Sequence, residues 1–297
     1  MAAYEDRFAT AADGVRLHLR DHAGDPSRPP LLCLPGLTRN ARDYAGLAAR
    51  LAGGWRVVAM DFRGRGESGR AEDWASYAPA TYLADVQAVL AELGIARFVG
   101  VGTSLGGIVL MMLVAAEPDR LAGLILNDVG PTIEAAGLQR IRGYVGRASS
   151  HPTWLHAARA VAEANGDVYP DWGLDDWLQM AKRLYRLTDK GKIVLDYDLR
   201  IAEPFKVVGG PGEREAPADL WPALDVLADT PVLLVRGERS DVLSEATAAR
   251  MTAALSGAEL VTVPRVGHAP TLDEPEAIAG IERLLARVAE PGAMRDA

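Results

Sequence analysis

The sequence has 297 residues, of which 49% are hydrophobic, and its formal net charge is −8. That length and composition suit one large α/β domain that carries an insertion. Acidic residues outnumber basic ones by 40 to 32 and no basic cluster stands out, which argues against nucleic acid and against an anionic membrane as partners. A small-molecule substrate fits better.

Nothing in the sequence directs the protein out of the cytoplasm. The N-terminus lacks the basic and then apolar order of a signal peptide, and the longest apolar stretch, 105–116, is too short to span a bilayer. Cys33 is the single cysteine and lies in an apolar run, where a buried structural role is expected. We therefore predict a cytoplasmic protein, and leave open whether it is a homodimer.

The predicted elements begin with an antiparallel edge and continue as alternating strands and helices. The opening hairpin comprises 7–10 and 15–21. In chain order there follow strand 31–34, helix 41–51, strand 56–62, helix 81–93, strand 97–101, helix 105–116, strand 121–126, and later strand 231–236, helix 244–255, strand 259–263 and a helix from about residue 274. This alternation predicts a mostly parallel eight-stranded sheet with helices on both faces.

A long insertion separates the sixth and seventh predicted strands. We predict that residues 132–220 form a largely helical cap and that 1–131 and 221–297 form the core domain; the cap ends through the break Gly209-Gly210-Pro211-Gly212. Its aromatic residues either pack within the cap or offer apolar surface over the site.

The strand 97–101 leads directly into the motif Gly102-Thr103-Ser104-Leu105-Gly106. A serine on a tight strand-to-helix turn has strained backbone geometry, so small residues are needed two positions before and two after it. Such a turn exposes the Oγ of Ser104 and leaves the backbone N–H of Leu105 free to stabilise an oxyanion. The motif therefore predicts a nucleophile elbow, that is, a turn that presents Ser104 as the nucleophile for acyl chemistry.

A serine nucleophile needs a base, and His268 is the best placed of the histidines. It lies in the loop after the last predicted strand, and the carboxyl ends of parallel strands meet at the edge where Ser104 is also expected. His151 and His156 lie in the predicted cap, so either would have to reach in from there.

The acid that orients the imidazole should follow a late strand and come between serine and histidine in the chain. Asp241 meets both conditions, because it closes the loop after strand 231–236. Asp128 follows the strand after the elbow and is the chief rival. Glu238 is better suited to a salt bridge, and Asp273 to a helix cap.

A second oxyanion donor is expected from the loop after the first parallel strand. In that loop Gly36 permits a turn and Leu37 offers its N–H. The glycine-rich stretch 61–69 contains two arginines but lacks the lysine of a phosphate-binding loop, so we interpret it as scaffold.

Together these residues resemble the α/β-hydrolase fold superfamily, and the likeness covers nearly the whole chain. It implies Ser104 as nucleophile, His268 as general base and then acid, and Asp241 as the orienting acid. It also implies that the N–H groups of Leu37 and Leu105 form the oxyanion hole.

The resemblance has one departure and one exclusion. Many members have His-Gly where this chain has Pro35-Gly36, which leaves the surroundings of the second oxyanion donor open. Dehalogenases and epoxide hydrolases of the superfamily use an aspartate at the elbow, so Ser104 argues against both.

Three functions remain open at the level of the sequence. The leading one is hydrolysis of a carboxylic ester or lactone of a small, largely apolar substrate through an acyl-enzyme, with no cofactor and no metal. The second is hydrolytic C–C cleavage of a vinylogous β-diketone, which a charged pocket residue for the substrate's carboxylate would favour. The third is a ligand-binding protein of this fold without catalysis.

Overall fold

One eight-stranded sheet organises the computed structural model, which describes residues 3–207, 219–227 and 230–290. In chain order the strands of the described ranges are β1 (Glu5–Thr10), β2 (Arg16–His22), β3 (Leu31–Leu34), β4 (Val57–Met60), β5 (Phe98–Thr103), β6 (Leu121–Asn127), β7 (Ser150–His151), β8 (Tyr185–Leu187), β9 (Ile193–Leu195), β10 (Val232–Gly237) and β11 (Glu259–Val263). The large sheet has the order β1-β2-β4-β3-β5-β6-β10-β11. β1, β2 and β4 pair antiparallel, and the other neighbours pair parallel.

Helices cover both faces of this sheet, and further helices lie between its sixth and seventh strands along the chain. They are α1 (Ala45–Leu51), α2 (Pro79–Glu92), α3 (Leu105–Ala116), α4 (Ala135–Tyr144), α5 (Trp154–Asn165), α6 (Leu174–Leu184), α7 (Glu203–Val207), α8 (Pro222–Asp225), α9 (Glu245–Ala254) and α10 (Pro275–Ala289). Short 3₁₀ helices occupy 41–44, 74–76, 118–120 and 199–202.

Alternation along the strands sends successive side chains into two separate cores. In β3, Leu32 and Leu34 pack with α2 and α3 on one face, whereas Leu31 and Cys33 pack with α1 and α10 on the other. The predicted α/β architecture, with a mostly parallel sheet between two helical layers, is therefore confirmed.

The interval between β6 and β10 is helical over most of its regular structure but also contains strands. Besides the helices α4 to α8 it contains a small antiparallel sheet with the order β7-β9-β8, which was not expected. A turn closed by Gly191, whose φ is +70°, joins β8 to β9, and strands this short carry too little periodicity to be recognised in the sequence. The predicted break at 209–212 lies outside the described residues, and the division of the chain at 131 and 220 stays a prediction.

The side chains between α5 and α6 form a third apolar cluster. Tyr169 stacks on Trp172 with ring centroids 3.9 Å apart, and Trp177 meets both rings edge-on.

Within the described ranges no helix is long and apolar enough to cross a membrane.

Candidate active site

Ser104 occupies the sharp turn between β5 and α3. Its φ of +51° and ψ of −115° lie outside the regions that side-chain-bearing residues favour. A Cβ on Gly102 would lie 2.5 Å from the backbone nitrogen of Gly107, and one on Gly106 would lie 2.0 Å from the carbonyl oxygen of Leu34. The backbone at both places leaves no room for a side chain, which explains the glycines on either side of the serine.

His268 lies in the loop after β11 and contacts the serine directly. Its Nε2 is 2.9 Å from Ser104 Oγ, and its Nδ1 is 2.8 Å from Asp128 Oδ2. Because the carboxylate accepts at Nδ1, that nitrogen carries the proton and Nε2 is left to accept from the serine hydroxyl. Serine, histidine and aspartate thus form one continuous chain of hydrogen bonds.

Asp128 follows β6 immediately, with a φ of +56°, and its side chain is fully buried. Besides His268, two donors from the loop after β10 hold it. The backbone N–H of Gly237 donates to Oδ1 at 2.9 Å, and Ser240 Oγ donates to Oδ2 at 2.7 Å. The carboxylate is therefore fixed by donors from the end of β10, from the loop after β10 and from the loop after β11.

The predicted pairing of His268 with Asp241 is wrong. The carboxylate of Asp241 instead receives Nε and Nη2 of Arg140 at 2.6 and 2.8 Å. These hydrogen bonds hold the pKa of Asp241 below its usual range. The chain order alone could not separate the two aspartates, because β6 and β10 are adjacent parallel strands that end at the same edge.

The role of Ser240 as a donor to Asp128 was not predicted from the sequence. An acid was expected in the loop after β10 instead. The hydroxyl of Ser240 also accepts the backbone N–H groups of Val242 and Leu243 at 3.2 and 3.0 Å. These contacts fix the position of the hydroxyl that donates to Asp128. A serine in a loop carries no distinctive sequence signal, so only the fold identifies it.

Two backbone N–H groups near Ser104 have no acceptor within the described part of the chain. One belongs to Leu105, the first residue of α3, and the other to Leu37 in the loop after β3. A Cβ on Gly36 would lie 3.7 Å from the Cβ of Ser104. The loop that carries Leu37 therefore lies against the serine, as the sequence predicts.

The peptide between Gly36 and Leu37 is held on both sides. The Gly36 carbonyl accepts the N–H of Arg39 at 3.1 Å, and the Leu37 carbonyl accepts Nε of the buried Arg65 at 2.9 Å. Since the N–H and C=O of a trans peptide point in opposite directions, fixing the carbonyl of Gly36 also fixes the direction of the Leu37 N–H.

The histidine loop is held from the core and from the interval after β6. Asn127 Nδ2 donates to the carbonyl of Pro270 at 2.8 Å. The N–H of Gly267 donates to the carbonyl of Val168 at 2.8 Å, and the Tyr169 hydroxyl donates to the carbonyl of Ala269 at 2.6 Å. Residues on both sides of His268 are thus fixed by contacts outside the loop itself.

Comparison with known proteins agrees with this geometry. A model of the alpha/beta hydrolase family matches residues 31–281. The chain belongs to this family. A crystal structure of an alpha/beta hydrolase from Novosphingobium aromaticivorans is 57% identical, covers 97% of this chain and 99% of its own, and superimposes with a TM-score of 0.91.

Curated relatives of comparable length are hydrolases. A 3-hydroxybutyrate-oligomer hydrolase from Cupriavidus necator is 34% identical over 86% of this chain and 88% of its own length. A 2-(acetamidomethylene)succinate hydrolase from Mesorhizobium japonicum is 27% identical over 86% of this chain and 85% of its own length. The chain is therefore an enzyme, a hydrolase of this family.

A cavity of about 390 Å³ lies over Ser104 and His268. Its apolar wall includes Ile141, Val161, Met180, Leu184, Leu195 and Leu272. Among the described residues that line it, four are arginines and one is an acid; these are Arg39, Arg140, Arg147, Arg183 and Asp43. The cavity lining of this acidic protein thus carries three more arginine than acidic side chains.

Three other histidines contact neither Ser104 nor Asp128. His151 Nε2 is 2.7 Å from Ser149 Oγ, and His156 Nδ1 is 2.8 Å from Thr153 Oγ1. His18 is buried between Asp61 and Asp6, at 2.7 and 2.8 Å. Among the described residues no group of three or more histidine, cysteine or acidic side chains is placed to hold a metal ion.

Proposed function

We propose that this enzyme hydrolyses carboxylic esters through an acyl-enzyme formed on Ser104. The observation that carries the proposal is the unbroken hydrogen-bonded chain from Ser104 through His268 to Asp128, with links of 2.9 and 2.8 Å. A nucleophile within hydrogen-bond reach of a base that a third group orients is the arrangement that acyl transfer requires.

In the first half of the reaction Ser104 Oγ attacks the ester carbonyl while its proton passes to His268 Nε2. The carboxylate of Asp128 accepts a hydrogen bond from Nδ1 of His268 and so stabilises the imidazolium that forms. His268 then gives the proton to the leaving alkoxide, so that the alcohol departs and the acyl group stays on Ser104. In the second half water attacks the acyl-enzyme, with His268 again as base, and releases the acid.

The negative charge that develops on the carbonyl oxygen needs donors in place before the reaction. We assign this role to the N–H groups of Leu37 and Leu105, because both lie beside Ser104 and lack another acceptor among the described residues. One such donor contributes about 10²–10³-fold to kcat in comparable sites. Both are backbone groups, so side-chain substitution leaves them present.

The substrate we propose is a short ester of a hydroxy acid, with a lactone as the cyclic form of the same bond. A cavity of about 390 Å³ suits a small molecule, and the relative from Cupriavidus necator acts on 3-hydroxybutyrate oligomers. The sequence analysis expected a largely apolar substrate. The four lining arginines change that expectation, and the sequence offered no means of placing them together.

Labelling with a fluorophosphonate, mapped by mass spectrometry, tests the nucleophile without knowledge of the substrate. Labelling confined to Ser104, lost in Ser104→Ala and accompanied by turnover of p-nitrophenyl butyrate, is the expected result. If the folded enzyme is not labelled and does not hydrolyse the ester, the proposal fails.

The second candidate function is hydrolytic C–C cleavage of a vinylogous β-diketone. The observation that favours it is the arginine lining, since such substrates carry a carboxylate that arginine binds well. A panel of ring-fission products, followed by loss of their visible absorbance, distinguishes the two reactions. If the enzyme turns over these products with a higher kcat/KM than every ester tested, C–C hydrolysis becomes the proposed function in place of ester hydrolysis.

From the sequence alone we also propose a cytoplasmic location and no nucleic-acid or membrane partner. The division into a core (1–131 and 221–297) and a cap (132–220) is a proposal of the same kind.

A further inference from the structure

The arginines that line the cavity differ in whether a carboxylate already neutralises them. Arg39 donates to Asp43 through Nε and Nη2, each at 2.6 Å. Arg140 makes the equivalent two-bond contact with Asp241. Each of these pairs contributes about zero net charge to the cavity.

Arg183 is also paired, through a contact of 3.2 Å between its Nη2 and Asp273. Arg147 differs from the other three, because its guanidinium makes no hydrogen bond or ion pair with any residue of the described ranges. Within the described lining, one positive charge is therefore left without a counter-charge.

The cavity that Arg147 lines also offers neutral hydrogen-bonding groups. Arg147 follows α4 and the positive-φ residue Gly146. The nearby Ser149 also lines the cavity, where its Oγ is 3.3 Å from the Tyr185 hydroxyl. An uncompensated guanidinium that lines the same cavity as these hydroxyls is suited to bind an anion.

We propose that Arg147 binds the free carboxylate of the ester substrate, and that the enzyme therefore prefers monoanionic hydroxy-acid esters to neutral ones. This inference rests on the proposed ester hydrolysis. In a dimer of 3-hydroxybutyrate the free carboxylate belongs to the hydroxy acid that leaves when Ser104 is acylated. Arg147 then acts on substrate binding, and the serine, histidine and aspartate carry the chemistry.

The size of the effect follows from the surroundings of Arg147. Its side chain is exposed, so water weakens the interaction relative to a buried pair. A charge-assisted hydrogen bond at a cavity mouth is nevertheless stronger than a neutral one. We expect about a tenfold preference for the anion, equivalent to about 1.4 kcal/mol, and we expect it mainly in KM.

The experiment compares two substrates that differ only in charge: the linear dimer of 3-hydroxybutyrate and the same dimer with its carboxylate converted to a primary amide. The measured quantity is the ratio of kcat/KM for the acid to kcat/KM for the amide. Wild type should give a ratio of about ten. Arg147→Gln should bring the ratio close to one, and Arg147→Lys should restore part of it.

Arg142→Gln is the matched control. Arg142 lies on α4, is exposed and is absent from the cavity lining, so this variant removes the same charge from nearly the same place. If Arg142→Gln lowers the ratio as much as Arg147→Gln, the preference for the anion comes from the overall positive charge near the cavity, and the proposed contact with Arg147 is refuted. A wild-type ratio near one, or an unchanged ratio in Arg147→Gln, also overturns the proposal.

Failure of the underlying function gives a different result. If neither dimer nor p-nitrophenyl butyrate is hydrolysed by the folded wild type, ester hydrolysis itself is wrong. If p-nitrophenyl butyrate and both dimers are hydrolysed with equal preference for acid and amide, ester hydrolysis stands and the role of Arg147 is refuted.

Discussion

Asp128→Asn should abolish most of the activity, because the local hydrogen bonds dictate how the new amide must lie. The backbone N–H of Gly237 donates to Oδ1 of Asp128 and cannot turn away, so the amide oxygen of an asparagine must take that position. The NH₂ group then takes the place of Oδ2 and points a donor at His268 Nδ1. The Ser240 hydroxyl already accepts two backbone N–H groups, so it has no lone pair left for the new NH₂ group and loses its hydrogen bond to this side chain.

A donor at that place forces the opposite tautomer of His268. Nδ1 must accept, so the proton moves to Nε2, and Nε2 can no longer take the proton of Ser104. The loss expected from such a wrong tautomer is about 10⁴-fold in kcat. At 1.36 kcal/mol for each factor of ten, this is about 5 kcal/mol of transition-state stabilisation.

The assay is steady-state hydrolysis of p-nitrophenyl butyrate by wild type, Asp128→Asn and Asp241→Asn, with Ser104→Ala as the background. Asp241 contacts Arg140 and not His268, so Asp241→Asn removes an equivalent carboxylate from outside the chain of hydrogen bonds. We expect its kcat/KM to stay within about threefold of wild type, since a partly exposed ion pair contributes little. Circular dichroism and thermal unfolding establish that each variant is folded.

Two results would refute this reasoning. One is an activity of folded Asp128→Asn within about tenfold of wild type, and the other is an equal or larger loss in Asp241→Asn. Ser240→Ala provides a milder second variant in case Asp128→Asn does not fold. It keeps the carboxylate but removes one of its donors, so kcat should fall by a smaller factor than in Asp128→Asn, of the order of tenfold or less.

Three further predictions concern the turn at Ser104, the histidine loop and the stability of the fold. Gly102→Ala should lower the free energy of unfolding in urea by about 1–3 kcal/mol or more, since its Cβ would meet backbone 2.5 Å away. The control is Gly143→Ala in α4, which has open space around it and should not lower that free energy. Equal losses in the two variants would contradict the packing argument. Tyr169→Phe removes the hydroxyl that holds the histidine loop and should lower kcat more than it raises KM; an unchanged kcat for p-nitrophenyl butyrate would contradict that role. Burial alone would raise the pKa of Asp198, but hydrogen bonds from Arg200 outweigh it and lower the pKa to about 2. The contribution of ionised Asp198 to the stability of the fold is therefore full above about pH 4 and is lost as the pH falls toward 2. Asp198→Asn should reduce that pH dependence of thermal unfolding. We expect a change of about 1 kcal/mol, because Arg200 is partly exposed and water weakens the ion pair.

The architecture and the elbow were predictable from the sequence because their causes are local. Buried parallel strands read as short apolar runs between amphipathic helices, and the alternation along the chain fixes the layers. Gly102 avoids a clash within the same turn, and Gly106 avoids one with the backbone of Leu34 at the end of the adjacent strand β3. His268 was found for a related reason, since the loop after the last strand leads to the edge where Ser104 lies.

The rest depends on contacts between segments that are distant in the chain. Asp128 and Asp241 both follow strands that end beside His268, and the choice between them depends on the path of each loop after its strand. The arginine lining is a second case, because Arg39 follows β3, Arg140 lies on α4 and Arg183 on α6. No periodicity or motif links these positions, so their convergence on one cavity is visible only in the fold.

The site divides its tasks between two parts of the chain. The parallel strands β3, β5, β6, β10 and β11 all end at one edge of the sheet, and the residues that follow them supply the proposed oxyanion donor, nucleophile, acid, supporting donors and base. Three of the four lining arginines come instead from the interval between β6 and β10. Asp241, on the core side, neutralises one of these arginines, so this aspartate influences the charge that a substrate meets rather than the chemistry at Ser104. It follows that substitutions of the lining arginines in that interval should change which esters the enzyme prefers, whereas substitutions at the strand ends should change how fast any ester reacts.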